Sequence, residues 1–301
     1  MVALLTLAAL VAFAANSLLA RAAIDPGAGG ASIGPVAFTA LRLFAGAVVL
    51  APWWLRTLSV HVRPGLRDWT GPVLLTAYAL PFALAYVGVG AAVGALLLFG
   101  AVQATMLIAG AVAGERMGTR GVIGLGGAVG GVVLLLLPSV AGPTGGAFGP
   151  AASAVPLGTA LLMVLAGVAW GGYSLAGRRA GDPVAATARA FGWSLPFALA
   201  MAAWPGAWAG VRVDGIVLAV LSGALTSGLG YLVWYRAVPH LTRTSAAVVQ
   251  LLVPVVAALG AVAFLGEAIT LRLALAAALV LGGVGTVVLG QRQPARPKRT
   301  P

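Results

Sequence analysis

Cysteine is absent from this 301-residue sequence, and histidine and charged residues are scarce. Without a thiol, the chain has no disulfide, no thiolate zinc site and no cysteine nucleophile. The two histidines, His61 and His240, lie in predicted connections, so the apolar segments hold no imidazole cluster for a metal ion or a proton relay. We therefore expect neither a metal nor another cofactor.

Charged residues make up only 8% of the chain, whereas hydrophobic residues make up 61%. A soluble domain carries about 25% charged residues, because water must solvate its surface. The net charge of +12 is in the range of nucleic-acid-binding proteins. The basic residues, however, are spread between apolar runs and form no patch with interleaved aromatics. The composition predicts a protein of the lipid bilayer without a nucleic-acid partner.

The apolar runs are long enough to cross a bilayer, which takes about 20 residues for each helix. Two charge-free runs, 71–114 and 121–177, have room for two helices each, divided by Gly88–Gly90 and by the segment PSVAGPTGGAFGP. The sequence therefore predicts an all-α integral membrane protein of ten transmembrane helices. The predicted spans are 2–21, 33–54, 71–89, 91–113, 121–139, 155–177, 184–204, 215–237, 244–266 and 271–290.

The basic residues gather on one side of the predicted helices. With a cytoplasmic N-terminus, the inner connections and the tail contain Arg56, Arg63, Arg67, Arg116, Arg120, Arg178, Arg179, Arg236, Arg243, Arg292, Arg296, Lys298 and Arg299. The outer connections contain only Arg21, Arg212 and Arg272. Because cytoplasmic loops are enriched in Lys and Arg, we expect a multi-pass protein of the inner, cytoplasmic membrane with both termini in the cytoplasm.

The two halves of the chain repeat each other. The segment VAFAANSLLAR, ending at Arg21, matches VAWGGYSLAGR, ending at Arg178, at identical spacing. Five spans per half is an odd number, so the second half enters the membrane with opposite polarity. We expect two inverted five-helix repeats with the substrate site between them, near the middle of the membrane. The predicted domains are the repeats at 1–137 and 155–290, a Pro/Gly-rich linker at 138–154 and a basic disordered tail at 291–301.

The order of motifs in the C-terminal half resembles a known family. Residues 227–290 contain a Gly-Tyr-x-x-Trp-Tyr-x-Ala helix, an apolar helix with a mid-span proline at Pro254, a Gly-Glu ending at Glu267 and a Gly-rich last helix. These features resemble the EamA-type domain of the drug/metabolite transporter superfamily. Residues 86–137 resemble it too, but Val102 replaces the usual proline. The resemblance implies a ten-helix inverted-repeat fold that exports or imports a small metabolite, such as an amino acid or related compound.

Two arginines, Arg42 and Arg189, fall inside the second predicted span of each half. Because an arginine in hydrocarbon is costly, each is expected to face the bundle interior, a partner or water. One interpretation is a pair of symmetric cations that attracts a substrate carboxylate or phosphate. The other is a structural clamp, in which the guanidinium binds backbone carbonyls near a helix end or reaches the interface.

Other polar and aromatic side chains in the spans complete the predicted substrate site. Asn16 and Tyr173 occupy equivalent places in the first helix of each half, where they bind either a substrate or a neighbouring helix. Trp170 lies one turn before Tyr173. Tyr78 and Tyr231 lie deep in their spans and are candidates for aromatic walls.

The fourth span of each half contributes the last candidates. These are Gln103 and Gln250, and Gln250 lies one turn before Pro254, whose missing amide hydrogen favours a break in the helix at the site. Glu115 and Glu267 close the same spans and are expected to bind the N-terminal amides of the helix that follows. A gating pair that alternately binds an arginine on each face is the alternative.

All six acidic residues lie at predicted helix ends or in connections, and none is mid-membrane, where proton-driven carriers often keep one. We therefore expect facilitated transport or exchange of a small molecule. An intramembrane enzyme would need serine with histidine or paired aspartates, which the spans lack, and a channel would need a ring of charges or exposed carbonyls. A non-transporting membrane scaffold is the other alternative.

Glycine-rich stretches predict close contacts between helices. The last helix of the first half contains Gly126 and Gly130, four residues apart, which is the spacing of small residues in tight helix pairs. The last helix of the second half contains the matching Gly282. This packing lies either within a monomer or at the face of a homodimer.

Overall fold

The computed structural model describes residues 1–25, 31–58, 65–113, 119–136, 155–178, 180–241 and 249–290, and all regular structure in these ranges is helical. The helices are α1 (Val2–Ile24), α2 (Pro35–Val49), α3 (Ala51–Leu58), α4 (Thr70–Ala85), α5 (Ala91–Val112), α6 (Thr119–Leu136), α7 (Leu157–Arg178), α8 (Pro183–Trp193), α9 (Leu195–Ala202), α10 (Val213–Leu221), α11 (Gly230–Ala237), α12 (Leu252–Leu265) and α13 (Leu271–Gly290). A π-helical segment, Ser222–Leu229, joins α10 to α11. Short 3-10 helices lie at Leu66–Trp69 and Val238–His240.

The surface of the helices is apolar. Four stretches in the described ranges are long and apolar enough to cross a membrane: Val2–Ile24, Ala91–Val112, Leu157–Gly177 and Val213–Ala237. Large apolar side chains point outward, and Leu4, Val112 and Phe264 are 71%, 84% and 81% exposed. Lipid hydrocarbon, rather than water, solvates a surface of this kind. The protein is a multi-pass membrane protein, which confirms the prediction from composition.

The second predicted span of each half is interrupted, although the sequence predicted both as continuous. The first of them divides into α2 and α3 at Leu50, and the other divides into α8 and α9 at Ser194. A proline follows each break, Pro52 in α3 and Pro196 in α9. Proline has no N–H to donate to the carbonyl one turn back, and its ring crowds that carbonyl, so the helix stops and restarts.

The first helix of each half packs against the other half. Helix α1 contacts α11 and α12, whereas α7 contacts α4 and α5. Helix α2 lies against the π-helical segment. The buried core follows these contacts and includes Phe38, Phe82 and Phe191, each at most 1% exposed. The middle of the bundle is therefore walled by helices from both halves.

The backbones of helices α6 and α13 are in direct contact, but the predicted glycines do not form this contact. A Cβ built on Gly283 would lie only 2.5 Å from the carbonyl oxygen of Gly124, so this contact requires glycine. A Cβ on Gly126, Gly130 or Gly282 would meet no atom within 4 Å among the described residues. Within the monomer the contact uses neighbouring glycines, which point in directions about 100° away from the predicted ones. Packing of Gly126, Gly130 and Gly282 at a homodimer face stays a prediction.

A similarly close contact joins the π-helical segment to α2. A Cβ on Gly223 would overlap the backbone oxygen of Arg42. We expect Gly223→Ala to lower the free energy of unfolding by about 1–3 kcal/mol, as overpacking a core does. Thermal unfolding of the purified protein in detergent measures the change. Gly126→Ala is the matched control and should be neutral or slightly stabilising, because alanine favours helix over glycine; equal melting temperatures for the two variants would contradict the prediction.

Candidate functional site

Arg42 lies at the centre of the bundle, on α2, and is only 1% exposed. Its Nη2 donates a hydrogen bond to the Tyr78 hydroxyl at 2.9 Å, and its Nε donates to Ser227 Oγ at 3.1 Å. The guanidinium carbon lies 5.0 Å from the ring centroid of Tyr78 and 4.9 Å from that of Phe82, within range of cation–π attraction. The side chain thus stays inside the protein and does not reach the membrane interface.

Asn16, on α1, extends this polar network. Its Nδ2 donates to the Tyr78 hydroxyl at 3.2 Å. Its Oδ1 accepts hydrogen bonds from Ser222 Oγ at 2.7 Å and from Thr226 Oγ1 at 3.2 Å. A single amide therefore joins α1, α4 and the π-helical segment, and each of its contacts satisfies a group that would be costly to bury alone.

The sequence interpretation missed the three hydroxyl residues of the π-helical segment, Ser222, Thr226 and Ser227. They bind Asn16 and Arg42, and all three are buried. The signal was present in the sequence, because three hydroxyl side chains fall within six positions of an otherwise apolar span. Wide π-helical turns occur frequently at functional sites, where they redirect side chains.

A small cavity adjoins this network. Its lining residues come from α1, α4, α5, α7, the π-helical segment, α11 and the chain before α12, and they are Phe13, Asn16, Ser17, Tyr78, Leu98, Phe99, Trp170, Thr226, Tyr231 and Gln250. Its volume is about 20 Å³. That is room for roughly one water molecule. The structure is therefore of a conformation in which the centre of the bundle is closed.

Aromatic rings form one side of the cavity. The Trp170 ring lies 4.9 Å from the ring centroids of Tyr78 and Tyr231 and stacks on Tyr173 at 5.1 Å. Phe13 meets Tyr231 edge-on at 5.6 Å. Such rings offer broad apolar faces and edges to a ligand.

Five of the predicted site residues line the cavity together: Asn16, Tyr78, Trp170, Tyr231 and Gln250. Arg42 lies directly behind Tyr78. That these side chains bind a substrate stays a prediction. Their arrangement around one cavity names the place where the substrate would bind.

Besides Arg42, three predicted site residues do not line the cavity. Tyr173 contacts it only through Trp170, and its hydroxyl donates to Thr187 at 3.3 Å. Gln103 is buried within α5 away from the cavity wall. Arg189 is half-buried on α8 and makes no hydrogen bond or ion pair with the described residues. The structure thus brings one arginine, and not a symmetric pair, to the centre of the bundle.

The helix near Gln250 is interrupted, as the proline predicts. Residues 249 and 250 are helical, Leu251 forms a turn, and α12 begins at Leu252 with Pro254 buried in its first turn. Proline cannot donate the backbone hydrogen bond that would join the two segments. The break leaves Gln250 at the cavity wall.

Glu267 caps a helix, but not the helix that follows it. Its carboxylate oxygens accept hydrogen bonds from the backbone amides of Ala91 at 2.6 Å and Ala92 at 3.2 Å, at the N-terminus of α5. The next helix, α13, is capped by Thr270, whose Oγ1 accepts from the Leu273 amide at 3.1 Å. A carboxylate at this position also interacts favourably with the positive end of the α5 dipole. Glu115 lies outside the described residues.

Arg21 connects Glu267 to the end of α1. Its Nε lies 3.7 Å from Glu267 Oε1, and its Nη2 forms an ion pair with Asp25 at 2.8 Å. Its Nη1 donates to the backbone oxygen of Tyr86, at the end of α4, at 2.8 Å. Helices α1, α4 and α5 and the turn after α12 are thereby tied together at one end of the bundle, which we call the Arg21–Glu267 cluster.

The positive charge of Arg42 is not balanced by a carboxylate among the described residues. The ion pairs there belong to Arg21 and Arg212. The five acidic residues that the structure describes lie at helix ends or in turns, and none lines the cavity. The Nη1 of Arg42 is buried and makes no hydrogen bond with any described residue. A positive charge without a counterion in a low-dielectric interior attracts negative charge more strongly than it would in water.

Comparison with known proteins agrees with the fold and the motifs. The model of the EamA-like transporter family matches residues 157–289. An uncharacterized protein of Pseudomonas aeruginosa is 47% identical over 293 residues, which are 95% of this chain and 93% of that protein. A solved crystal structure is similar with a TM-score of 0.60 and 25% identity, over 95% of this chain and 99% of that chain. As its motif order predicted, the chain belongs to the EamA-like transporter family of the drug/metabolite transporter superfamily.

Proposed function

We propose that this protein is a secondary transporter that moves a small metabolite across the cytoplasmic membrane by alternating access between two inverted five-helix halves. The observation that carries the proposal is the polar and aromatic cavity at the centre of an apolar bundle. Membership of a transporter family supports it, and the family is generally not enzymatic. In this proposal both termini lie in the cytoplasm, and the Arg21–Glu267 cluster lies on the outer side.

The helix packing supports an inverted arrangement. The cavity wall takes Asn16 and Tyr78 from the first half and Trp170, Tyr231 and Gln250 from the second. Helix α1 begins the first half and packs against helices of the second, whereas α7 begins the second half and packs against helices of the first. A site formed between related halves can open to either side when one half rocks against the other.

The closed cavity fits one stage of such a cycle. A space of about 20 Å³ is too small for a metabolite, so binding requires the wall to widen. Substrate that enters from one side must then be released when the wall opens toward the other.

Counterflow in proteoliposomes tests the proposal. Vesicles that hold the purified protein are preloaded with each member of a panel of amino acids, organic acids and amines, and uptake of the labelled compound is followed. We expect saturable uptake of at least one member that is stimulated by the same compound inside. No saturable uptake across the panel would favour the scaffold alternative.

Trp170 gives a local test of the cavity. We expect Trp170→Leu to lower uptake of the transported compound about 10-fold, because the aromatic surface against the cavity is lost. Trp204→Leu is the matched control, since Trp204 is 66% exposed and should affect uptake little. Equal uptake by the two variants would place the substrate elsewhere.

The proposal includes facilitated transport or exchange, because no described carboxylate lies at the centre of the bundle to carry a proton. We expect uptake to continue when the pH gradient is abolished at constant membrane voltage. Loss of uptake under that condition would show proton coupling through another group.

A further inference from the structure

We propose that the substrate is a small monoanionic carboxylate with a flat apolar body, and that zwitterions and cations are rejected. This inference rests on the proposed transport function and names the substrate class of the same cavity. The hydroxyl of Tyr78 and the charge of Arg42 recognise the carboxylate, whereas the rings of Trp170, Tyr231 and Phe13 hold the body.

The hydrogen bonds of Tyr78 determine what its hydroxyl offers to the cavity. The oxygen accepts one hydrogen bond from Arg42 Nη2 and one from Asn16 Nδ2. A phenolic oxygen accepts at most about two hydrogen bonds and carries one hydrogen of its own. The guanidinium of Arg42 and the amide NH₂ of Asn16 are donors and cannot accept the hydroxyl hydrogen of Tyr78. This hydrogen makes no hydrogen bond with another described residue. Because Tyr78 lines the cavity, this O–H is available to an acceptor there.

The same contacts make Tyr78 a strong donor. A hydroxyl whose oxygen is bound by a cation is polarised, and its own hydrogen bond becomes stronger. The preferred acceptor is an anion, because the cavity lies beside the uncompensated charge of Arg42. Arg189 does not reach the cavity wall, so among the described residues Arg42 supplies the one positive charge beside it, which fits a monoanion better than a dianion.

Among the described residues, the cavity has no carboxylate that would neutralise an ammonium. No described acidic residue lines it. Aromatic faces can bind cations; Tyr78 already holds the guanidinium of Arg42 and Trp170 stacks on Tyr173, which leaves Phe13, Phe99 and Tyr231 without a carboxylate beside them among the described residues. An ammonium would lose its hydration and be repelled by Arg42. An amino acid, which carries both charges, is therefore disfavoured against a carboxylic acid of the same shape.

The apolar part of the lining indicates the shape of the body. The apolar lining consists of four aromatic rings and one aliphatic side chain, those of Phe13, Phe99, Trp170, Tyr231 and Leu98. Rings stack offset or edge-on, so a flat body gains contact on both sides.

Four probes that share a phenyl ring and differ in charge test the inference. They are benzoate, benzylamine, phenylalanine and phenyl phosphate, and their dissociation constants for the purified protein in nanodiscs are measured by calorimetry at pH 7. We expect benzoate to bind at least ~10-fold more tightly than each of the others, since a tenfold ratio corresponds to one charge-assisted hydrogen bond. Binding of phenylalanine, benzylamine or phenyl phosphate as tight as that of benzoate, or no binding of benzoate, would overturn it.

Tyr78→Phe removes the hydroxyl and keeps the ring. We expect it to weaken benzoate binding ~10-fold and to leave the weaker binding of benzylamine unchanged or improved. Benzoate binding equal to that of the wild type would contradict the assigned donor, and if the variant does not fold, the four probes on the wild-type protein decide. Counterflow separates this inference from the proposed function. Uptake of zwitterions or amines without carboxylates overturns the inference alone, whereas no uptake of any compound overturns the proposed function.

Discussion

Arg42→Gln should reduce uptake of the transported compound at least ~100-fold, whereas Arg189→Gln should change it by less than ~3-fold. The two arginines occupy the same span of each half, but only Arg42 is bound to a cavity residue, through Tyr78. Glutamine at position 42 removes the charge that polarises the Tyr78 hydroxyl and the donor to Ser227. Uptake into proteoliposomes at matched protein density measures both variants.

Thermal unfolding separates this effect from a structural one. If Arg42→Gln melts like the wild type and still transports, Arg42 has no role in transport. If Arg42→Gln does not fold, Arg42→Lys keeps the charge and a single ammonium donor, and we expect it to fold and to transport at an intermediate rate. A folded Arg42→Lys variant with wild-type uptake would show that charge alone is sufficient.

Glu267→Gln should open one end of the bundle. The neutral amide has one acceptor oxygen in place of two, so its NH₂ group meets an amide N–H of Ala91 or Ala92, and the attraction to Arg21 is lost. We expect a loss of about 1–2 kcal/mol in the free energy of unfolding, as for a removed charged helix cap. The Arg21–Glu267 cluster joins segments that are 176 residues apart, so its weakening should also expose the cavity.

The absence of cysteine makes that exposure measurable. Ser17, which lines the cavity and is 1% exposed, is replaced by cysteine, and a membrane-impermeant thiol reagent is added outside sealed vesicles. We expect labelling ~10-fold faster in the Glu267→Gln background. This ratio follows if the variant destabilises the closed state by about 1.4 kcal/mol relative to the open state. Asp182→Asn is the control, because Asp182 caps α8 through the nearby amides of Val184 and Ala185 and asparagine is an equally good cap. Unchanged labelling in Glu267→Gln would contradict a closing role.

The sequence was sufficient for the membrane class, the family and most of the helices, because apolar length and motif order are local properties. It was insufficient for contacts between distant segments. Glu267 was expected to bind the helix that follows it, but it caps α5, and no local rule relates residues so far apart. Arg42 and Arg189 look equivalent in the repeat, yet their surroundings differ, because the glycine that allows close approach, Gly223, lies against Arg42.

The wide turn between α10 and α11 sets which side chains face the cavity. Nine positions separate Ser222 from Tyr231, which in an ordinary α-helix would put them about 180° apart, on opposite faces. In this protein both are buried, at 0% and 5% exposure, and both contribute to the site. The wider turns of the π-helical segment therefore place the Ser222 hydroxyl and the Tyr231 ring on the same side of the helix. The residue count of this span is as much a determinant of the site as its polar residues, because nine positions bring both side chains to one face only with the wider turns of the π-helical segment.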